Sequence, residues 1–527
     1  MVSSSARPRP VIPPRTRVSG HHTGTLIAGC LAVCLAQIGL VLPAAINGVI
    51  QRGLQTSGAE LTWISDAFMV PAAVLALTFG VLGDLYGRKK LLVSGAAVAA
   101  VGYLVSATAD TPGWLITGQA LSGLGAAALF PASLAVITAG TTTPAARARG
   151  LASWTTALSL GAFIAPLLSG AIVQHTSFHW AFAAVGMLAL CTAVAAWFLA
   201  SESSAPEGRA LDWPGQITLA LSLLCLLYGI IQGPSDGWSS GPVLVAFIAA
   251  AALLVLFVRC ETRSTAPMLR LDLFRIPAFA ASTAATVIGM FGFLGGAYDL
   301  SIRLGVIQHQ SPLHAAVPFL VIQGVTPLIW PLLVRLLHRT GPGPMLVGGF
   351  LSLATAQLWL RAVPVDEHGL LPLLGPLILN GFGFGLAVAA LTAAAVNVVP
   401  QKLTGMATAT TSLVRDLGQT LGPAIVGAVA LSLAAAQITT HLADAGLSPA
   451  EHSTAQAVLA QGGPIAVHTA ELGPLSAKIA PITQQALADG YNTGLLLTAG
   501  ACLLAATICA VFIGLKPQSA QLTTPGN

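Results

Sequence analysis

The strongest constraint on the fold is a series of long apolar runs separated by short polar segments. Each run has about 18 to 25 residues, enough for a helix to cross the roughly 30 Å hydrocarbon core of a bilayer. Helices satisfy their own backbone hydrogen bonds there. The sequence predicts an all-α polytopic membrane protein with fourteen transmembrane helices, at residues 24–46, 61–82, 91–109, 113–139, 150–173, 179–200, 213–232, 241–259, 279–304, 314–337, 344–361, 371–398, 403–432 and 491–515.

The composition agrees with a membrane protein. Hydrophobic residues make up 55% of the chain and charged residues only 8%, against roughly 25% charged in a soluble domain. The net charge of +5 comes from bases in short loops and does not indicate nucleic-acid binding. The seven cysteines show neither zinc-ligand spacing nor a disulfide pattern. We therefore predict no metal, no cofactor and no nucleic-acid partner.

The distribution of bases predicts the topology. Most of the 23 Lys and Arg residues fall in alternate connections, which places both termini in the cytoplasm and the chain in the plasma membrane. The first span is expected to be retained, and the protein is expected to be a monomer. The predicted divisions are a basic tail 1–23, a six-helix bundle 24–200, a linker 201–278 with two inserted helices, a six-helix bundle 279–515 with one long outer loop 437–490, and a tail 516–527.

One short connection carries a specific motif. Between the second and third predicted spans the chain reads GVLGDLYGRKK, residues 80–90. Glycines allow two helices to approach and turn tightly, an acid can face a helix N-terminus or a base, and the bases hold the turn in the cytoplasm. The string resembles motif A of the major facilitator superfamily, in which the gating residues would be Gly80, Asp84, Gly87, Arg88 and Lys89.

Further strings resemble the fourteen-helix drug:H+ antiporters of that superfamily. WISDAF at 63–68, the small-residue run at 121–127 and VRDLG at 414–418 are similar to motifs of helices 2, 4 and 13. The segment from Gly161 through Pro166 to Gly170 resembles the antiporter motif C of helix 5, which implies close helix packing and a proline bend. The resemblance implies a major facilitator fold of six, two and six helices.

Two departures affect the expected proton route. The family has an Asp in helix 1 at the position of Cys34, and an Arg in helix 4 at the position of Gln119, with Ser122 where a Gln is usual. The resemblance assigns both charged residues to proton coupling. An unpaired charge in mid-membrane is costly, so the loss of one favours the loss of the other.

The acidic residues give independent candidates for proton coupling. Of the 18 acids, only Asp66, Asp299 and Asp416 fall within predicted spans, where ionisable groups are functional candidates. Asp416 has Arg415 beside it, although neighbouring residues leave a helix at different angles, and a permanent structural pair remains open. Asp299 and Arg303 have the i, i+4 spacing of a same-face ion pair. For Asp66, a role at a helix end remains an alternative.

A substrate path requires polar or aromatic groups among apolar ones. Gln37, Trp63, Gln119 and Asn380 are such positions within predicted spans. A largely apolar cavity with few polar groups suits a lipophilic ligand. Each residue taken singly is more typical of a hydrogen bond between packed helices.

These observations lead to two transporter hypotheses. The first is an alternating-access exporter of lipophilic small molecules or drugs, cations included, driven by proton antiport. The second is an uncoupled facilitator or a lipid or metabolite exporter, favoured by Cys34 and Gln119. The expected partners are a small-molecule substrate, protons and the lipid bilayer. An integral-membrane enzyme is disfavoured because no paired-Asp motif is present, and the chain has no nucleotide-binding loop.

Overall fold

The structure is a computed structural model that describes residues 19–139, 141, 143–204, 211–264, 267, 269–399, 403–444, 448–466 and 475–514. The predicted tail 516–527 and most of the tail 1–23 lie outside these residues. The first helix already begins at Ser19, inside the predicted tail.

The described residues form sixteen α-helices and no strand. Fourteen of the helices are long and apolar enough to cross a membrane, which confirms the predicted number of spans; α2 and α15 are the other two. The helices are α1 (Ser19–Ala45), α2 (Asn47–Leu54), α3 (Gly58–Tyr86), α4 (Arg88–Ala107), α5 (Pro112–Ala139), α6 (Pro144–Val173), α7 (Phe178–Leu199), α8 (Trp213–Asp236), α9 (Gly241–Arg263), α10 (Pro277–Ile302), α11 (Pro312–Thr340), α12 (Pro342–Ala362), α13 (Leu371–Val396), α14 (Thr404–Asp444), α15 (Pro449–Ala466) and α16 (Ser476–Ile508).

The described part of the predicted outer connection 437–490 is largely helical. Helix α14 continues to Asp444, α15 occupies the middle, and α16 begins at Ser476. The segments are rich in Ala, Gln and Leu, which are good helix formers. Pro449 is the first residue of α15, where the missing N–H of proline is not needed.

Local sequence explains several helix ends. Ser57 and Glu60 form a capping box at the start of α3, with Ser57 N–H donating to Glu60 Oε2 over 2.7 Å and Glu60 N–H donating to Ser57 Oγ over 3.3 Å. Gly87 separates α3 from α4 at φ +114°, a conformation that favours glycine. A Cβ at Gly87 would also lie only 2.7 Å from Glu202 Oε1.

The spanning helices pack into two halves with an additional pair. The N-terminal half consists of α1 and α3 to α7, and the C-terminal half of α10 to α14 and α16. Small residues permit close approach within each half: a Cβ on Gly102 of α4 would lie 2.5 Å from Ser122 Oγ of α5. Helices α8 and α9 pack against each other, and α8 also contacts α3 and α14.

The two ends of the bundle differ in how the halves meet. We call the end that carries α2 the α2 end, and the opposite end, with the turn at Gly87, the Gly87 end. At the α2 end the halves are joined by Asn47 Nδ2, which donates to Ser301 Oγ over 3.2 Å, and by Arg52, which donates to the Gly305 carbonyl over 3.3 Å. The α2 end is therefore closed.

Candidate functional site

Two buried carboxyl groups lie where the halves meet. Asp66 on α3 is 0% exposed, and neither of its carboxyl oxygens has a hydrogen-bond partner. Asp299 on α10 is 1% exposed, and its Oδ1 has no hydrogen-bond partner. Both lie near Tyr298, close enough to interact electrostatically with its hydroxyl. Asp66 and Asp299 belong to opposite halves, and the contact that connects their surroundings is made by Tyr298, which bonds Thr62 of α3.

A hydroxyl bridge joins the halves beside these acids. The Thr62 and Tyr298 oxygens are 2.9 Å apart, and Thr62 also donates to the Gly58 carbonyl over 3.0 Å. Because the Thr62 proton is used in that second bond, Tyr298 donates to Thr62. Tyr491 of α16, 2% exposed, lies next to Tyr298. Thr62 is one helical turn before Asp66, so the bridge and the acid lie on the same face of α3.

The predicted ion pair between Asp299 and Arg303 was wrong. The Arg303 guanidinium instead donates to the carbonyls of Leu360, Val363 and Pro364 over 3.1, 2.9 and 2.7 Å. These carbonyls are at the C-terminus of α12, where backbone acceptors lack helical partners and attract cations. Arg303 is still in regular helical conformation, and its N–H donates to the Asp299 carbonyl, so the binding of its guanidinium by these carbonyls and not the backbone accounts for the absent pair.

A glycine makes room for the second acid. A Cβ at Gly494 of α16 would lie 2.9 Å from Asp299 Oδ1, closer than side chains normally approach. The carboxyl group is therefore enclosed by α16 as well as by its own helix. Sequence reasoning identified both acids from their position in apolar runs, but it missed Tyr298 and Tyr491. The only available signal was a tyrosine directly before Asp299.

Asp416 has a different environment. Arg415 donates to Asp416 Oδ1 through Nε and through its terminal nitrogen, both over 2.9 Å. The two side chains are 40% and 24% exposed, respectively. Adjacent residues can therefore pair on α14 despite their different directions. The charge of Asp416 is compensated locally and is accessible, unlike the acids at the interface of the halves.

The motif A residues form a compact hairpin. Arg88 donates to Asp84 Oδ1 over 2.9 Å from Nε and 2.7 Å from its terminal nitrogen. The Arg88 N–H donates to the Ser203 carbonyl over 2.9 Å, and the Lys89 N–H donates to Glu202 Oε1 over 3.2 Å. The chain segment after α7 is thus attached to this turn. Gly80, also in the motif, lies near Pro131 of α5.

The motif C residues lie where α6 contacts other helices. A Cβ at Gly161 would lie 3.0 Å from Gln37 Cβ of α1, and one at Gly170 would lie 3.1 Å from Ala316 Cβ of α11. Pro166 is within α6. The predicted close packing of this segment is present, since glycine allows α6 to approach both neighbours.

The four proposed substrate-path residues fall in different surroundings. Gln119 is fully buried and donates to Ser106 Oγ of α4 over 3.0 Å, so it lies in a helix–helix contact inside the N-terminal half. Gln37 and Trp63 are partly exposed. Asn380 is 9% exposed, with no partner for its Oδ1. Gln37, Trp63 and Asn380 remain candidates for ligand contact.

The sequence model of the Major Facilitator Superfamily matches residues 27–423, and the chain belongs to this superfamily. It is a multi-pass membrane transporter and not an enzyme.

Several characterised relatives are drug exporters. The chain is 28% identical to the multidrug resistance protein Stp of Mycobacterium tuberculosis, over 84% of this chain and 82% of the relative. It is 27% identical to the tetracenomycin C resistance and export protein of Streptomyces glaucescens, over 80% of this chain and 78% of the relative. It is 26% identical to the multidrug efflux pump LfrA of Mycolicibacterium smegmatis, over 95% of this chain and 98% of the relative.

Solved transporter structures share the fold. The nucleoside transporter NupG aligns with a TM-score of 0.63 at 11% identity, covering 93% of this chain and 99% of the other. The POT family transporter PepTSo aligns with a TM-score of 0.62 at 14% identity, covering 94% of this chain and 97% of the other. At these identities the likeness concerns the fold only.

Proposed function

We propose that the protein exports lipophilic small molecules by alternating access, driven by proton antiport. The family membership and the drug-exporting relatives support export of small molecules. The closed α2 end, with hydrogen bonds between the halves, supports a conformation that is open toward the Gly87 end. In the predicted topology this is the inward-facing state.

The observation that carries proton coupling is the pair of buried acids from opposite halves. An ionised carboxylate without partners in an apolar interface costs several kcal/mol. Closing the α2 end over Asp66 and Asp299 is therefore least costly when both are neutral, that is, protonated. Opening this end would expose the acids to water and let them take up protons; release of these protons toward the Gly87 end would recharge the acids and favour reopening of the α2 end. The conformational change and the proton movement are then linked through the same interface.

Asp416 has a separate role in this proposal. Its pairing with Arg415 keeps it charged at low cost, and its exposure makes it available to a ligand. We assign it to substrate binding or to a second proton step, and not to the closure of the α2 end.

The test is transport of a lipophilic fluorescent dye into inside-out proteoliposomes with and without an imposed pH gradient. The wild type should accumulate dye only with the gradient. Asp66→Asn and Asp299→Asn should lose gradient-driven accumulation and retain exchange of dye for dye. Asp110→Asn, at an exposed acid in the turn between α4 and α5, is the matched control and should accumulate dye normally. Gradient-driven accumulation in both interface variants would refute the assignment of these two acids.

The alternative is a facilitator or lipid or metabolite exporter without proton coupling. It is favoured by Cys34, at the position of the usual helix 1 acid, and by Gln119, which is buried in the contact with Ser106. This function predicts wild-type transport that is equal with and without the pH gradient, and the same experiment distinguishes the two.

A further inference from the structure

The halves meet along two seams, and only one of them is covered. Helices α3 and α14 form the first seam, and α6 and α11 the second. Helix α8 is attached to the first. Gln216 Nε2 donates to the Val74 carbonyl over 2.8 Å, and Thr78 donates to Gln216 Oε1. In the connection between α8 and α9, the Trp238 indole N–H donates to Ser432 Oγ of α14 over 3.3 Å.

Apolar packing also holds α8 over the α3–α14 seam. One core cluster contains side chains of all three helices, among them Leu219, Leu223 and Leu227 of α8, Val70 and Val74 of α3, and Leu413 and Ala424 of α14. As a result, none of residues 75–85 of α3 or 406–421 of α14 is exposed. The α3–α14 seam is therefore shielded from the bilayer.

The α6–α11 seam is closed only near the α2 end. There the Leu313 N–H donates to Gln174 Oε1 over 3.4 Å, and Pro312 and Ala316 lie against Gly170. Further along, a Cβ at Gly324 would lie 3.6 Å from the Phe163 ring.

Beyond this level each helix still packs against its own half, through Trp154 to Ser133 and through the buried Leu333, but apolar side chains on the remaining faces are exposed. None of residues 151–160 of α6 is buried. On α11, Leu328 is 82% and Leu332 is 52% exposed. Leu160 lies one turn before Phe163 on α6, and Leu328 lies one turn after Gly324 on α11. Because the two helices are antiparallel, both leucines lie on the Gly87 side of the contact between Phe163 and Gly324.

The sequence of the seam makes it apolar and deformable. Neither residues 151–173 of α6 nor residues 315–334 of α11 contain an ionisable side chain. Helix α11 contains Pro318, Pro327 and Pro331 within its length. Each proline removes one backbone hydrogen bond, so this helix bends more easily than its neighbours.

We propose that the α6–α11 seam is a lateral entrance through which lipophilic substrates pass from the bilayer into the space between the halves. This inference rests on the proposed export function. A lipophilic molecule concentrates in the bilayer, so an entrance open to lipid meets far more substrate than one open to water. The inserted pair α8–α9 restricts that entrance to one side of the protein by covering the other seam.

The first experiment compares export kinetics of a membrane-partitioning dye and a water-soluble dye. Leu160→Gln and Leu328→Gln place a polar group in the seam and should raise KM for the membrane-partitioning dye about five-fold or more, with kcat and the KM of the water-soluble dye unchanged. Leu254→Gln is the matched control, since Leu254 is 49% exposed on α9 away from the seam. Wild-type KM in both seam variants, or an equal rise for both dyes, would overturn the entrance.

The second experiment does not need transport. A lipophilic dye carrying a diazirine is photolysed with the full-length protein in vesicles, and the labelled peptides are mapped by mass spectrometry. We expect labelling of residues 151–160 and 327–335 to exceed that of the exposed face of α9, which reports lipid contact alone. Labelling of the seam at or below the α9 level would overturn the entrance. Loss of all transport together with seam labelling would instead contradict the proposed export function.

Discussion

Replacing Gly48 by alanine should shift the protein away from the state in which the α2 end is closed. Gly48 of α2 lies against Gly305, in the π turn after α10. A Cβ at position 48 would be 2.7 Å from Gly305 Cα and closer to its carbonyl group, whereas ordinary contacts begin at 3.4 Å. The backbones would have to separate by about 1.2 Å to relieve the contact with the Gly305 carbonyl oxygen, because no flexible side chain can move aside.

The cost follows from the packing. Overpacking of a close contact costs about 1 to 3 kcal/mol. At about 1.4 kcal/mol per factor of ten, the ratio of closed to open α2 ends should fall about 5- to 140-fold. Only the closed state is destabilised, since the two backbones separate when this end opens. The variant should also retain its fold, because Gly48 and Gly305 belong to different halves.

The assay is electron–electron double resonance between spin labels on Thr176 and His368, exposed positions at the α2 end of the two halves. Gly48→Ala should show a new or enlarged long-distance population. Gly113→Ala is the control at the same end, since a Cβ there meets nothing within 4 Å. An unchanged distance distribution in Gly48→Ala would refute the view that this contact closes the α2 end.

Three further predictions concern other contacts. Asp84→Asn removes the charged acceptor of Arg88, a bond worth about 1.5 to 3 kcal/mol, and should reduce dye export about ten-fold with normal membrane insertion; normal export in vesicles would contradict this. The Lys478 ammonium, 2.8 Å from Glu451 Oε1, lowers the pKa of that carboxyl to about 2. Because the pKa is lowered in the folded protein, the attachment of α15 to α16 is present above the unfolded value of about 4.3 and is lost as pH falls toward 2. The protection of α15 amides, measured as exchange relative to the intrinsic rate at the same pH, should fall over that interval, and Lys478→Met should lower it already at neutral pH; equal protection at pH 7 and pH 3 in the wild type would contradict the assignment. Gln216→Leu removes two buried hydrogen bonds between α8 and α3, so it should lower the melting temperature and increase labelling of α3 by a lipophilic reagent, whereas unchanged labelling would show that apolar packing alone holds α8 in place.

The sequence predicted the spanning helices well because the bilayer imposes a simple local rule. A run of about 20 apolar residues must be helical to satisfy its backbone in lipid. The same rule fails at the edge of the membrane. Residues 437–490 are less apolar and contain prolines, yet α14 and α16 extend into this segment and α15 forms within it. Their helicity comes from residue preferences and packing that hydropathy does not register.

The candidate site was predictable in part. Asp66 and Asp299 could be selected because an acid in an apolar run is rare and costly. The ion pair with Arg303 could not be judged from spacing, since the carbonyls at the end of α12, far away in the sequence, bind the guanidinium. The compensation of Asp416 by its direct neighbour was suggested by the sequence and is present in the structure.

The sequence by itself determined the number of spanning helices, the membrane setting and the acids available for coupling, because each depends on residues close together in the chain. The tertiary structure alone decided which of those acids lie at the interface of the halves and which seam α8 covers. Thr62 and Tyr298 are 236 residues apart and meet only when the halves close. Contacts of that kind depend on how two packed bundles fit against each other, and no local pattern encodes that fit.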